Sequence, residues 1–114
     1  MQNIFKILDS ALFQQAMAEG RFHGAEIDLK DGFIHFSSAA QVRETARLHF
    51  SGRKDLVIFA IAAETLGEAL RWEPSRGGQL FPHLYGALDM KHVLWARPLA
   101  WNGATHDFPP EVFQ

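Results

Sequence analysis

The chain of 114 residues contains no cysteine. That excludes disulfides, thiolate catalysis and any cysteine-bound zinc or iron–sulfur centre. Neither sign of charge dominates: 11 Lys and Arg stand against 13 Asp and Glu, a net charge of −2. Bulk nucleic-acid binding draws its affinity from a basic surface that displaces counterions, so no such partner is expected. No apolar run approaches the roughly 20 residues of a membrane helix. The longest, residues 56–63 (LVIFAIAA), has the length of a buried strand. The first ten residues lack the basic stretch and apolar core of a secretory signal, so a cytoplasmic location without a membrane partner is expected. Internal repeats and low-complexity stretches are missing too.

What is present suits one globular domain. Hydrophobic residues make up 47% and charged residues 21%, ordinary proportions for a folded protein. A chain of this size buries roughly two-thirds of its extended surface. Residues 3–8 read as a short apolar strand. Asp9 or Ser10 caps a helix to about Glu19, with Leu12, Phe13, Ala16 and Met17 as its stripe and Gly20 as its left-handed stop. Residues 21–32 read as a loop closing on the turn signal Asp31-Gly32, and residues 33–37 as a strand. Ser38 and Gln41 have capping-box spacing for a helix to about Phe50. Residues 56–61, apolar on both faces, read as a central strand. Beyond it come a helical turn at 64–69, a strand at 70–73 stopped by Pro74, and a loop at 75–80. A turn-like segment at 81–86, a helical turn at 89–92 and a strand at 93–97 follow. Residues 1–101 form one α+β domain with mixed or antiparallel strands and two main helices, and residues 102–114, with Pro109-Pro110, read as a surface tail.

Three motifs carry candidate chemistry. In the first, side chains alternate, so His35 and Ser37 share one strand face beside a helix N-terminus, where backbone N–H groups favour an anion. The same residues also suit plain structure, Ser37 or Ser38 capping the helix and His35 bonding a carbonyl. In the second, Arg76 beside Gly77 and Gly78 suits a loop that brings backbone to a phosphate or carboxylate, and Glu73 is a candidate base or hydroxyl acceptor. A Gly-Gly turn with one solvated arginine has the same pattern. In the third, Pro82 precedes His83 and Gly86 follows Tyr85, which aims an imidazole and a phenol into a cleft or lets Phe81, Leu84 and Tyr85 close the core. The three motifs are expected to converge on one pocket.

Metal binding finds no support in the spacing of the six histidines. No His-x-x-x-His or His-Glu-x-x-His occurs; His49 stands alone on its helix, and His23, His92 and His106 read as surface or loop. Arg43 and Arg47, one helical turn apart, read as a solvated face. Neither a P-loop nor a Gly-x-Ser-x-Gly elbow is present.

The string Asp28-Leu29-x-Asp31-Gly32-Phe33-Ile34-His35-Phe36-Ser37 with Gln41, then Trp72-Glu73-Pro74-Ser75-Arg76-Gly77-Gly78, then Phe81-Pro82-His83-Leu84-Tyr85-Gly86, resembles in order the motifs of the DUF952 family of small bacterial proteins of unknown function. The resemblance spans about residues 3–100. It implies in turn a fold like that of the ADP-ribosyltransferases, which bind NAD between two small antiparallel sheets. Their strand bearing His-Gly-Thr or His-Gly-Ser is similar to His35-Phe36-Ser37. By that likeness His35 holds a ribose, the Phe36 backbone the nicotinamide amide, and the Ser37 hydroxyl a sugar. Glu73 and Tyr85 match the later glutamate and tyrosine by type, in reversed order.

The expectation is therefore a binder of NAD or a related nucleotide, with NAD a substrate rather than a resident cofactor, that cleaves the nicotinamide–ribose bond. His35, Glu73 and His83 are its candidate catalytic residues, and Ser37, Ser38, Arg76, Gly77 and Tyr85 its candidate ligand contacts. Two alternatives stand beside it: a non-catalytic module for a small anionic metabolite, and a hydrolase of a nucleotide-derived molecule with His35 or His83 as base.

Overall fold

The first strand already divides the interior in two. In this computed structural model, which describes residues 2–114, Ile4 and Leu8 of β1 (Asn3–Asp9) face one apolar cluster and Phe5 and Ile7 face another. Strand β5 (Leu56–Ala62) pairs antiparallel along β1 and takes β9 (Val93–Trp101) on its other side. With β4 (Ser37–Ser38) beyond β1 and β10 (His106–Asp107) beyond β9, the order is β10-β9-β5-β1-β4. The apolar run thus occupies the centre expected of it.

Helix α1 (Ser10–Glu19) lays Leu12, Phe13 and Ala16 on the first cluster. Met17, expected in that stripe, is exposed instead. Gly20 ends the helix at φ 82°, its N–H donating to Ala16 O at 2.8 Å. Helix α3 (Ala39–His49) covers the second cluster with Val42 and Ala46. Its N-cap is Ser38, whose N–H donates to Gln41 Oε1 at 3.0 Å, half of the capping box read from the spacing.

A three-stranded sheet, ordered β3 (Ile34–His35), β7 (Leu80–Leu84), β6 (Leu70–Pro74), lies over the first cluster with Ile34, Leu84 and Leu70 facing inward. A ribbon of β2 (Arg21–Phe22) and β8 (Leu88–Asp89) adjoins it. Every strand pair is antiparallel, and the class is α+β.

The structure corrects several sequence expectations. The loop at 21–32 contains a helix, α2 (Glu26–Asp31). The turn at 81–86 is mostly β7, the middle strand of its sheet. The strand at 93–97 runs on to Trp101. Residues 102–114 are no loose tail: His106 and Asp107 pair with Trp101 and Ala100, and Val112 and Phe108 pack into the second cluster. Apolar side chains at those positions give the segment something to bury.

The strand at 33–37 is divided between the two sheets, and Pro82 shows why. Phe36 N–H donates to Pro82 O at 3.0 Å. In an antiparallel ladder a residue offers N–H and C=O on the same side, and Pro82 has no N–H to return. At that point the strand leaves β7 and joins β1 instead. No helix among the described residues is long and apolar enough to cross a membrane.

Candidate functional site

The register of the small sheet sets three residues in a row: His35 opposite His83, and His83 opposite Arg71. Alternation puts Glu73, Phe81 and Tyr85 on that same outer face, opposite the one that meets the core. His35, His83, Glu73 and Tyr85 thus share one face of the sheet rather than the one pocket expected, and they line neither of the hollows that hold Ser38 and Gly77. The rings of His35 and His83 lie 5.5 Å apart. His83 Nδ1–H donates to Glu73 Oε1 at 2.9 Å, and Tyr85 O–H donates to the same oxygen at 2.8 Å.

Each imidazole has its own carboxylate. His35 Nδ1–H donates to Asp28 Oδ1 at 2.7 Å, and its backbone N–H to that oxygen at 3.0 Å. Its Nε2 lies 2.9 Å from Asp31 Oδ2. Beneath this pair sits Lys6, in mid-strand on the apolar face of β1. Its Nζ is 3.1 Å from Asp28 Oδ2 and donates to His35 O at 2.7 Å. Lys6 and Asp28 therefore grip the His35 peptide at both ends and its ring as well.

Burial works against charge on both members of this ion pair. On Asp28 it is outweighed by the His35 ring, the Lys6 ammonium and the N–H groups of His35 and Ala25, which together hold the carboxyl at about 2. On Lys6 burial prevails over the attraction of Asp28, and the ammonium's pKa is lowered. Hydrogen bonds from His83 first, then Tyr85, pull Glu73 below the usual carboxylate range. The bond to Glu73 pushes the Tyr85 phenol up.

The two pairs are inverted in exposure. Asp28 is 1% exposed and His35 29%; His83 is 5% exposed and Glu73 32%. Phe33 closes over His83: its ring stacks on that imidazole at 4.0 Å, and lies 4.6 Å from His35 and 5.4 Å from Tyr85. The groups that face outward are thus an imidazole from one pair and a carboxylate from the other. Asp28 and His83 orient them from below.

The remaining candidates divide. Arg76 lies over the Phe81 ring at 4.7 Å and donates to Thr45 Oγ1 at 3.2 Å, at the far end of the same face. Ser37, expected as a ligand contact, is buried with its Oγ 2.8 Å from Thr45 Oγ1, so its hydroxyl is already engaged. Ser38 caps α3 and lines a separate hollow of about 320 Å³ with Phe5 and Val112. Gly77, in a turn at φ 66°, lines another of about 300 Å³ beside Arg76. Phe36 turns its ring into the core. Sequence reasoning missed Asp28, Lys6, Phe33 and Arg71. The sheet register places Arg71 there, and contacts made only in the folded chain bring Asp28, Lys6 and Phe33 to the two imidazoles. Among the described residues no cluster of three histidines and carboxylates is gathered as a metal ion would need.

The family described as "Protein of unknown function (DUF952)" matches residues 7–96. Among solved structures, the X-ray crystal structure of protein CC0527 from Caulobacter crescentus is 42% identical with a TM-score of 0.93, covering 98% of this chain and 99% of that one. The solution NMR structure of CC0527 gives 44% identity and a TM-score of 0.85, covering 97% of this chain and 96% of that one. No curated protein matches.

Proposed function

The chain belongs to the DUF952 family, and from that premise we propose that the outer face of its small sheet binds NAD or a related nucleotide and acts on the ribose through His35 and Glu73. The observation that carries this reading is the inverted burial of the two carboxylate–imidazole pairs, which presents one imidazole and one carboxylate on the same face, on either side of the middle strand. His35 holds ribose hydroxyls through its Nε2 edge, in exchange for Asp31. Glu73, below the usual carboxylate range, stays anionic. It stabilises the positive charge that develops on the ribose as the C–N bond breaks and its electron pair leaves with nicotinamide. An acceptor hydroxyl or water then adds to the ribose carbon and loses its proton to solvent.

Two antiparallel sheets sharing the segment 34–38, with His35-Phe36-Ser37 at the crossing, support the ADP-ribosyltransferase-like fold. Because Phe36 points into the core, it does not crowd the nicotinamide. The Ser37 hydroxyl is committed to Thr45, which leaves the sugar to His35. The reading carries with it a cytoplasmic setting. A second reading, a hydrolase with His35 as general base, is favoured by the 2.7 Å contact from Asp28 that fixes the ring's tautomer.

Isothermal titration with NAD, paired with a nicotinamide-release assay, tests the proposal on wild type, His35→Ala and Glu73→Gln. Wild type is expected to bind and release. Glu73→Gln should keep most affinity and lose release, because its charge acts on the transition state. His35→Ala should bind more weakly. Binding without release makes the protein a binding module, and neither binding nor release removes NAD.

A further inference from the structure

Both arginines of the outer face lie over aromatic rings at opposite ends of one strand. Arg71 lies 4.9 Å from the Tyr85 ring and Arg76 4.7 Å from the Phe81 ring. Neither has a carboxylate partner among the described residues, whereas Arg47, Arg53 and Arg97 each have one. A guanidinium lying on a ring keeps most of its N–H donors open to a phosphate, Arg76 giving one to Thr45 Oγ1. Arg76 opens onto the hollow of about 300 Å³ that it shares with Gln41, Gly77 and Gln79. Glu44 also lines that hollow, but its charge is met by Arg47.

Phe81 and Tyr85 are four residues apart on an extended chain, about 13 Å at strand rise. Arg71 is not among the residues lining the hollow that Arg76 opens onto, so the two guanidiniums serve different parts of the face. Between the two cations lie Glu73, His35 and His83, groups suited to a sugar. The face reads cation, sugar site, cation. We propose that Arg71 and Arg76 hold two separate anionic groups of one ligand, making the preferred ligand a nucleotide phosphorylated on both sides of its ribose. This rests on the nucleotide reading above and names the class of nucleotide. It adds Arg71, which the sequence motifs leave out, as a ligand contact.

The test compares adenosine 3′,5′-bisphosphate with AMP by isothermal titration on wild type, Arg71→Gln and Arg76→Gln. Arg71 is exposed and Arg76 sits on a surface turn, so both variants should fold, and circular dichroism checks it. Wild type is expected to bind the bisphosphate about ten-fold more tightly than AMP, the worth of one charge-assisted contact. That preference should vanish in either variant. Arg71→Lys, which keeps charge without the fork, should restore part of it. Equal affinity of wild type for the two ligands overturns the two-anchor proposal and leaves the nucleotide reading intact, as does a preference that survives both substitutions. No binding of either nucleotide by wild type overturns the two-anchor proposal, and the NAD titration above then decides the nucleotide reading by itself.

Discussion

The two carboxylate–imidazole pairs share one face and nearly one geometry, yet they are built the opposite way round. In Asp28–His35 the acid is buried over a lysine and the base faces out. In Glu73–His83 the base is buried under Phe33 and the acid faces out. The first pair is a foundation sunk into the core, where a missing partner leaves a stranded charge. The second sits on the rim, where water can take over a lost contact. Hydrogen-bond length alone does not separate them, at 2.7 and 2.9 Å; the medium around each does.

The sharpest way to break the comparison is to delete each acid. Asp28→Ala leaves the Lys6 ammonium without a counter-charge, a loss of about 3–5 kcal/mol. Glu73→Gln, on the rim, should cost far less, and Lys6→Met with Asp28→Leu should recover most of the first loss. Denaturant midpoints decide it, and equal losses for the two acids would erase the distinction.

Acid titration sharpens it next. Asp28 is held at about 2 against an ordinary 3.8. A depressed carboxylate contributes stability that is complete above its ordinary value and lost as pH falls through its folded one. The loss amounts to roughly 2 kcal/mol. Unfolding free energies of wild type should drop between about pH 4 and pH 2, and Asp28→Asn should flatten that limb.

A smaller effect concerns the cover. Phe33→Ala removes a stacked ring, for about 1 kcal/mol, and should speed chemical modification of His83 while sparing the rate at His106. An unchanged rate at His83 would show that something other than Phe33 shields it.

The smallest is spectroscopic. Tyr85 is the single tyrosine of the chain, so phenolate absorbance reports on it alone. Its midpoint should lie above the ordinary 10.0 and return toward it in Glu73→Gln, since the bond to Glu73 is the leading cause of the rise.

Elements whose signals are local were readable in advance. Gly20 stops α1 because a positive φ suits glycine, and Ser38 with Gln41 starts α3. Helix α2 was not readable: Ile27 and Leu29 are exposed while Asp28 is buried, the reverse of an amphipathic pattern. Lys6 carries no signal of its own within an apolar strand, and only Asp28, brought from 22 residues away, explains it. Proline is a poor residue for a middle strand, and the structure admits Pro82 where its neighbour changes sheets. Of the site, the three motifs gave His35, Glu73, His83 and Tyr85, the residues that meet. The cross-strand register that adds Arg71 and the tie that withdraws Ser37 are non-local facts.

The division of residues 34–38 between two sheets also bears on how the molecule opens. Strands of two and five residues, left to themselves, would separate and re-form often, at little free-energy cost. Here Phe36 is hydrogen-bonded to β7 through Pro82 O, while Ser37 and Ser38, next along the chain, are laddered to β1, beside the central strand. Peeling the small sheet away therefore pulls on the segment of the protein that should be the last to exchange its amide protons. Protection of the Phe36 amide, donated to Pro82 O, should approach that of the global core rather than that of a surface hairpin. The site is slow to fray because its shortest strand is spliced to the sheet's most durable part.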